Sequence, residues 1–388
     1  MRALSWMALS LVVGCGGPEP ARDAGHDAAS SPDAARHDDA GRDAGMSSDA
    51  GRDGGNDAGQ DAGNDAGNDA GQDAGPPPCD GPPGLYREGS CTELAEGVRP
   101  FHPRYALWSD GYDKERFVYL PPGTQIDTSD PDRWGFPVGT RLYKTFSTGG
   151  TRIETRLLEK VAAPRGAPSW RFVAYLWSED QLSVSEVGAF GETDVFGTDH
   201  DIPTRSECIR CHSVTQDDTA DGFSAVQLAH DEGGVTLQTL LDEGWLSAPI
   251  DPAAATIPGD ATAQAALGYL HANCGNCHGG PAPEHNLDYW IRLGTPDVIS
   301  TRTWATAVCG CSVWTRTLPS GSLADLRIAP HHPETSVSIV RMQTRVAMDM
   351  MPPMGSNAID PVGIGIVSDW IASLDETANG CPHTCPWP

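Results

Sequence analysis

The stretch DATAQAALGYLHANCGNCH, residues 260–278, decides most of the reading. Asp260 is placed to cap a helix that runs through Asn273, with Ala263, Ala266, Leu267 and Leu270 along one side. That helix delivers Cys274-Gly275-Asn276-Cys277-His278. Far downstream, Asp360-Pro361 combines a cap with a first-turn proline and starts a second helix. Ile366, Trp370 and Leu374 repeat there at i+4, and Val367 and Ile371 widen the apolar stripe. Between the two helices lies Met348-Asp349-Met350-Met351-Pro352-Pro353-Met354-Gly355.

A second Cys-x-x-Cys-His stands at Cys208-Ile209-Arg210-Cys211-His212, after a non-helical Asp201-Ile202-Pro203-Thr204. Both motifs match the c-type haem attachment signature. The spacing lets two thiols add across the vinyl groups of one porphyrin edge. The following histidine then falls under the iron, so His212 and His278 are the expected proximal ligands and Cys208, Cys211, Cys274 and Cys277 the covalent anchors. Zinc held by four cysteines is the rival, but zinc does not call for a histidine directly after each pair. A thioredoxin-like pair lacks a surrounding βαβ pattern.

Helix, attachment motif, Met-Pro loop and closing helix together resemble the class I cytochrome c fold. The resemblance implies that Met351, which precedes Pro-Pro, is the thioether axial ligand of the second haem, with Met354, Met348 and Met350 as alternatives. It also implies a crossing of the first and last helices at a small residue against an aromatic, positions that Gly268 and Trp370 can fill. No methionine follows the first motif until Met342. His230 is the nearest distal candidate there, with His200, His102 and His271 as others, and a five-coordinate iron is the remaining option.

Residues 100–190 read as strands: Arg116–Leu120, Gly139–Phe146, Thr151–Val161 and Trp170–Trp177. Arg152, Glu154 and Arg156 alternate with Ile153, Thr155 and Leu157, the period of a half-buried strand. The expected class is α+β: an N-terminal antiparallel β-sandwich-like domain, then mainly helical cytochrome c-like haem segments. Trp108, Trp134, Trp170 and Trp177 are its expected core, with a sugar-binding platform as the alternative. Arg116 to Gly123, Gly135 to Gly139, Lys144 to Ser147, Ile153 to Leu158, Trp177 and Asp180-Gln181 resemble an uncharacterised family of exported bacterial dihaem c-type cytochromes. The likeness covers about residues 100–290, includes the first motif and Tyr269 to Cys274, and implies no function sharper than the haems.

The start of the chain reads as an address. Arg2 and the short apolar run Ala3 to Val13 form a leader too short to span a bilayer. Val12-Val13-Gly14-Cys15 resembles a bacterial lipobox, which implies cleavage after residue 14 and a lipidated Cys15. Gly16 in place of aspartate favours an outer-membrane address, periplasmic or cell-surface. Asp49 to Asp73 recur every four residues in Asp-Ala-Gly-Xaa units, a composition that buries no core, so residues 15–78 are an expected tether with a span of about 40–45 Å. The remainder divides by expectation into a β-rich domain at 79–200, a first haem segment at 201–258 and a second haem domain at 259–388.

Eleven cysteines leave six after lipid and haem: Cys79, Cys91, Cys309, Cys311, Cys381 and Cys385. Three disulfides are expected, with Cys79–Cys91 and Cys381–Cys385 as local pairings and exchange between Cys309, Cys311 and the C-terminal pair left open. The net charge of −27 argues against nucleic-acid binding, because a phosphate backbone needs a basic face. Residues 79–388 alone carry 39 acids against 21 bases, a field that steers a basic redox protein. The expected function is a lipid-anchored dihaem carrier of electrons between envelope partners. A haem enzyme reducing a small molecule or peroxide at an open first iron is the second reading. A glycan-binding lipoprotein with structural zinc is the third. No P-loop, dinucleotide fingerprint, nucleophile elbow or His-Glu-x-x-His is present.

Overall fold

The computed structural model describes residues 77–212, 217–218, 220–279 and 286–375, with Cys381 and Cys385. The leader, Cys15 and the repeat tether up to residue 76 lie outside the described residues.

Alternation of β-branched and aromatic residues with polar ones builds a six-stranded antiparallel meander in simple sequence order. Its strands are β1 (Val98–Pro100), β2 (Asp113–Tyr119), β3 (Arg141–Thr148), β4 (Thr151–Lys160), β5 (Trp170–Trp177) and β6 (Val184–Glu186). The class is α+β, as expected. The sandwich expectation meets a single sheet: loops and short helices, not a second sheet of comparable size, cover its faces. Register sets the side-chain rows. Phe117, Tyr143, Leu157 and Val173 line up on one face and pack with Leu85 and Val98. Val118, Leu142, Leu158 and Phe172 line up on the other and pack with Phe101, Trp134, Phe223 and Leu240.

The helices are α1 (Arg205–His212), α2 (Ala225–Leu228), α3 (Leu237–Asp242), α4 (Ala261–Asn273), α5 (Arg302–Ala307), α6 (Val337–Met342) and α7 (Pro361–Ser373), with a hairpin of β7 (Cys311–Thr317) and β8 (Leu323–Leu326) between α5 and α6. Asp260 caps α4 by accepting from the Ala263 amide at 2.9 Å, and Asp360 caps α7 by accepting from the Gly363 amide at 2.9 Å. Leu267, Leu270, Val367, Trp370 and Ile371 from these two helices share one core with Ile291 and Met342.

Two expectations are corrected at this level. Gly268 lies against the Tyr105 ring, and the small residue at the α4–α7 crossing is Gly363, seated on the Tyr269 ring. Trp134, Trp170 and Trp177 are buried, but Trp108 is only half-buried and belongs to the junction with the helices. Its amide donates to Asn273 Oδ1 at 2.7 Å and its indole N–H to the Ala358 carbonyl at 3.2 Å.

Cys79–Cys91 is bonded as expected. The Cys381–Cys385 expectation is wrong: Cys309 bonds Cys381 and Cys311 bonds Cys385. Their Cα separations are 4.9 and 5.6 Å, inside the usual reach of a bridge. These bonds tie the C-terminal segment to the β7 hairpin, where little apolar area is buried.

Candidate functional site: a cavity shared by the two motifs

The first motif occupies α1, a helix with no fully buried residue that packs against β5. The second follows α4 directly. There the Cys274 and Gly275 amides both donate to the Leu270 carbonyl at 2.9 Å, and a Cβ at residue 275 would overlap the His271 carbonyl, so the tight exit from the helix requires glycine. The leading cysteine of each motif packs on a different core: Cys208 on the sheet side, Cys274 among α4 and α7.

All four motif cysteines and both motif histidines line one cavity of about 690 Å³. These four cysteines stand outside the disulfides, while the other six described cysteines are bonded in pairs. Burial pushes the Cys211 and Cys274 thiols up to about 12 and raises Cys208 as well. They are therefore neutral thiols in an apolar wall, not exposed thiolates. Among the described residues no three His, Cys, Asp or Glu side chains gather as a metal group, so the four cysteines do not form a tetrahedron.

The imidazoles are set by neighbours. His212 stacks near Phe172 with ring centroids 5.4 Å apart, and its Nε2 lies 3.7 Å from Asp221 Oδ2. His278 stands edge-on to Tyr289 at 6.1 Å. Arg133 spans the segments after the two motifs: Nη1 donates to Asp217 at 2.9 Å and Nη2 to the Gly279 carbonyl at 2.8 Å. Lys160 and Asp218, both fully buried, pair close by, and Asp218 also accepts from Trp170 Nε1, Gly166 N and Phe136 N.

Met351 and Met354 line the same cavity, as does Met342; Met348, by contrast, is 91% exposed. The loop that carries Met351 is held from several sides. The Met351 amide donates to the Arg341 carbonyl at 3.0 Å. Arg341 in turn donates to the Asp349 and Met348 carbonyls at 2.8 and 3.0 Å, and Trp314 Nε1 donates to Asp349 at 3.1 Å. Downstream, Asp110 accepts from Ser356 Oγ and from the Asn357 and Ala358 amides.

The structure does not bring His230 to the cavity. Its Nδ1 accepts from the Glu232 amide at 3.2 Å, so the N–H is on Nε2 and donates to the His102 carbonyl at 2.7 Å. His200 is buried against Tyr112 and Phe146 and bonded to Glu154 at 2.9 Å. His271 is buried beside Trp290, accepts from the Ile291 amide, and is held down to about 3, chiefly by burial. Neither lines the cavity.

Sequence reading missed the charge of the cavity. Among the described lining residues, seven are Lys or Arg and three are Asp or Glu, inside a chain with twice as many acids as bases. The cations at its sheet wall are Arg116, Lys144 and Arg156, and their strand register was the only available signal.

Neither family models nor curated proteins nor solved structures give a match to this chain.

The residues present fit a covalently held porphyrin at each motif. Four cysteine side chains outside the disulfides and two imidazoles line one mainly apolar cavity, and thioethers stand on its wall.

Proposed function

We propose that this chain is a lipid-anchored, exported dihaem c-type cytochrome that carries electrons between envelope redox partners. The observation that supports it is the convergence of both Cys-x-x-Cys-His motifs and the Met351 loop on one cavity. Cys208 and Cys211 would hold one haem by thioether links, and Cys274 and Cys277 the other. His212 and His278 would bind the irons, and Met351 would supply a thioether to the iron held at Cys274 and Cys277. When bound, the haems supply iron centres that each gain and lose one electron, and His/Met ligation raises the potential.

The chain's own contribution is placement. Arg133 fixes the two motif segments relative to each other through Asp217 and Gly279. Arg341 and Trp314 hold the methionine loop, so the thioether does not have to be ordered at each turnover. Phe172 and Tyr289 orient the imidazoles. Cys15 supplies the anchor, and the acidic exterior steers a basic partner.

A second reading is favoured by one observation. Among the described residues, His212 and His278 are the only histidines on the cavity wall, and His230 is occupied elsewhere. A haem held by Cys208 and Cys211 would then lack a second histidine from this wall and could supply small-molecule or peroxide reduction. Spectra of the matured protein with and without carbon monoxide separate the readings. Low-spin signals at both irons that carbon monoxide leaves unchanged support the carrier. Carbon monoxide binding at one iron, abolished in Cys208→Ala/Cys211→Ala, supports the enzyme.

A further inference from the structure

Arg116, Lys144 and Arg156 form one row across three strands, because Arg116 pairs in register with Lys144 and Lys144 with Arg156. Ala174 ends the row on β5. Three cations on adjacent strands of one face repel, so such a row is costly unless something negative meets it. All three, with Ala174, line the cavity.

The available acids compensate only part of it. Glu154 pairs with Arg156 through two bonds of 2.7 and 2.8 Å and is itself shared with His200. Asp221 lies on the same wall, its Oδ1 buried and without a hydrogen bond and its Oδ2 turned to His212. Arg327, Arg341 and Arg345 on the same cavity each donate to backbone carbonyls. Arg116 is different. It is only 7% exposed, and among the described residues its guanidinium has no hydrogen bond or ion pair. Lys144 Nζ lies 5.6 Å from the Phe146 ring and makes no hydrogen bond or ion pair among the described residues, with the Asp221 carboxylate acting on it only at longer range. Burial first, then the adjoining Arg116 and Arg156, pull the Lys144 ammonium down to about 7, and Asp221 offsets only part of that.

We infer that the Arg116–Lys144–Arg156 row is an oxyanion site that receives carboxylate-type groups beside the first motif. Two sources present that chemistry. One is the pair of carboxylates on the porphyrin edge opposite Cys208 and Cys211, and this arm rests on the haem reading. The other is a small diffusible oxyanion entering the cavity, which does not depend on that reading.

The test uses the matured full chain, first weighed intact to establish whether porphyrin is attached at Cys208 and Cys211. It is then titrated calorimetrically with nitrite and with acetate, and both midpoint potentials are measured. The variants are Arg116→Gln, Lys144→Gln, and Arg116→Lys, which keeps the charge. With tethered carboxylates as the source, neither probe binds, and each Gln variant shifts one potential downward while Arg116→Lys restores it. With a diffusible source, nitrite or acetate binds saturably to the wild type and at least tenfold more weakly to each Gln variant. No binding together with two unmoved potentials overturns the site. If the chain carries no porphyrin, the haem reading fails by itself, and the titration alone decides: saturable binding lost in Arg116→Gln sustains the row, and no binding ends it.

Discussion

The phenol of Tyr269 lies directly over Gly363, and its hydroxyl donates to Asp360 Oδ2 at 3.0 Å. Leading and closing helix are thus joined at a point where one has no side chain and the other has an aromatic ring bonded to the partner's cap. Tyr269 also faces the cavity, so the crossing sets one wall of the site.

Gly363→Ala therefore forces a methyl into the Tyr269 ring, and we expect a loss of about 1–3 kcal/mol, the usual range for overpacking. Gly365, one helical position pair away, faces open space. Gly365→Ala should be neutral or stabilising by up to ~1 kcal/mol through helix propensity. Denaturant titration of both variants checks the contrast; equal effects would contradict the crossing.

Removing one side of the Lys160–Asp218 pair leaves a fully buried charge without its counterpart. Asp218→Asn should cost about 3–5 kcal/mol, whereas a surface pair such as Arg87–Glu93 should contribute less than about 1 kcal/mol. Because Asp218 also fixes Trp170, Gly166 and Phe136, thermal melts of the variant should reveal loss of the sheet-side core together with the first motif.

The stability of the fold should fall in mild acid because of His271. Burial first, and Arg292 second, hold it at about 3 against an ordinary 6.5. The unfolded chain binds a proton that the folded chain refuses between those values. The contribution is then complete above the ordinary value and is lost as pH falls through the window toward 3. His271→Gln, which has no such proton to take up, should show a flatter pH dependence of stability across that window. An unchanged slope would show that other groups govern it.

Much of this was legible because local chemistry and tertiary packing agree. The four central strands announce themselves by alternation, and Asp260 and Asp360 mark two helix starts that the structure reproduces. Register across helices was not legible. Gly268 and Tyr269 are neighbours in sequence but about 100° apart around a helix, so a one-residue slip exchanges a Tyr105 contact for the α7 contact. Helix α1 lacks the apolar stripe that periodicity detects, since none of its residues is fully buried. The β7 hairpin is mostly exposed and is tied by two long-range disulfides, which no spacing rule identifies. The cationic row needs strand register before Arg116, Lys144 and Arg156, far apart in sequence, become neighbours.

The disulfide pairing is open to direct mapping. Cys381→Ser should leave Cys309 as the free thiol, and Cys385→Ser should leave Cys311. Loops of 72 and 74 residues are long, so loss of both bridges should destabilise by about 4 kcal/mol or more. A Cys381–Cys385 peptide in a non-reducing digest would refute the arrangement.

The methionine loop gives a selective outcome at one iron. Met351→Ala should lower one midpoint potential and leave the other, because a thioether ligand raises the potential of the iron it binds. Met354→Ala, also on the cavity wall, should move neither. The reverse pattern would transfer the axial role to Met354.

Intact mass of the full chain, produced with haem-maturation machinery, is the most direct measurement. The wild type should weigh two porphyrins more than its polypeptide and anchor. Cys208→Ala/Cys211→Ala and Cys274→Ala/Cys277→Ala should each weigh one porphyrin less than that. A wild-type chain with no added porphyrin mass, or a mass that neither double variant reduces, would contradict covalent haem at these two motifs.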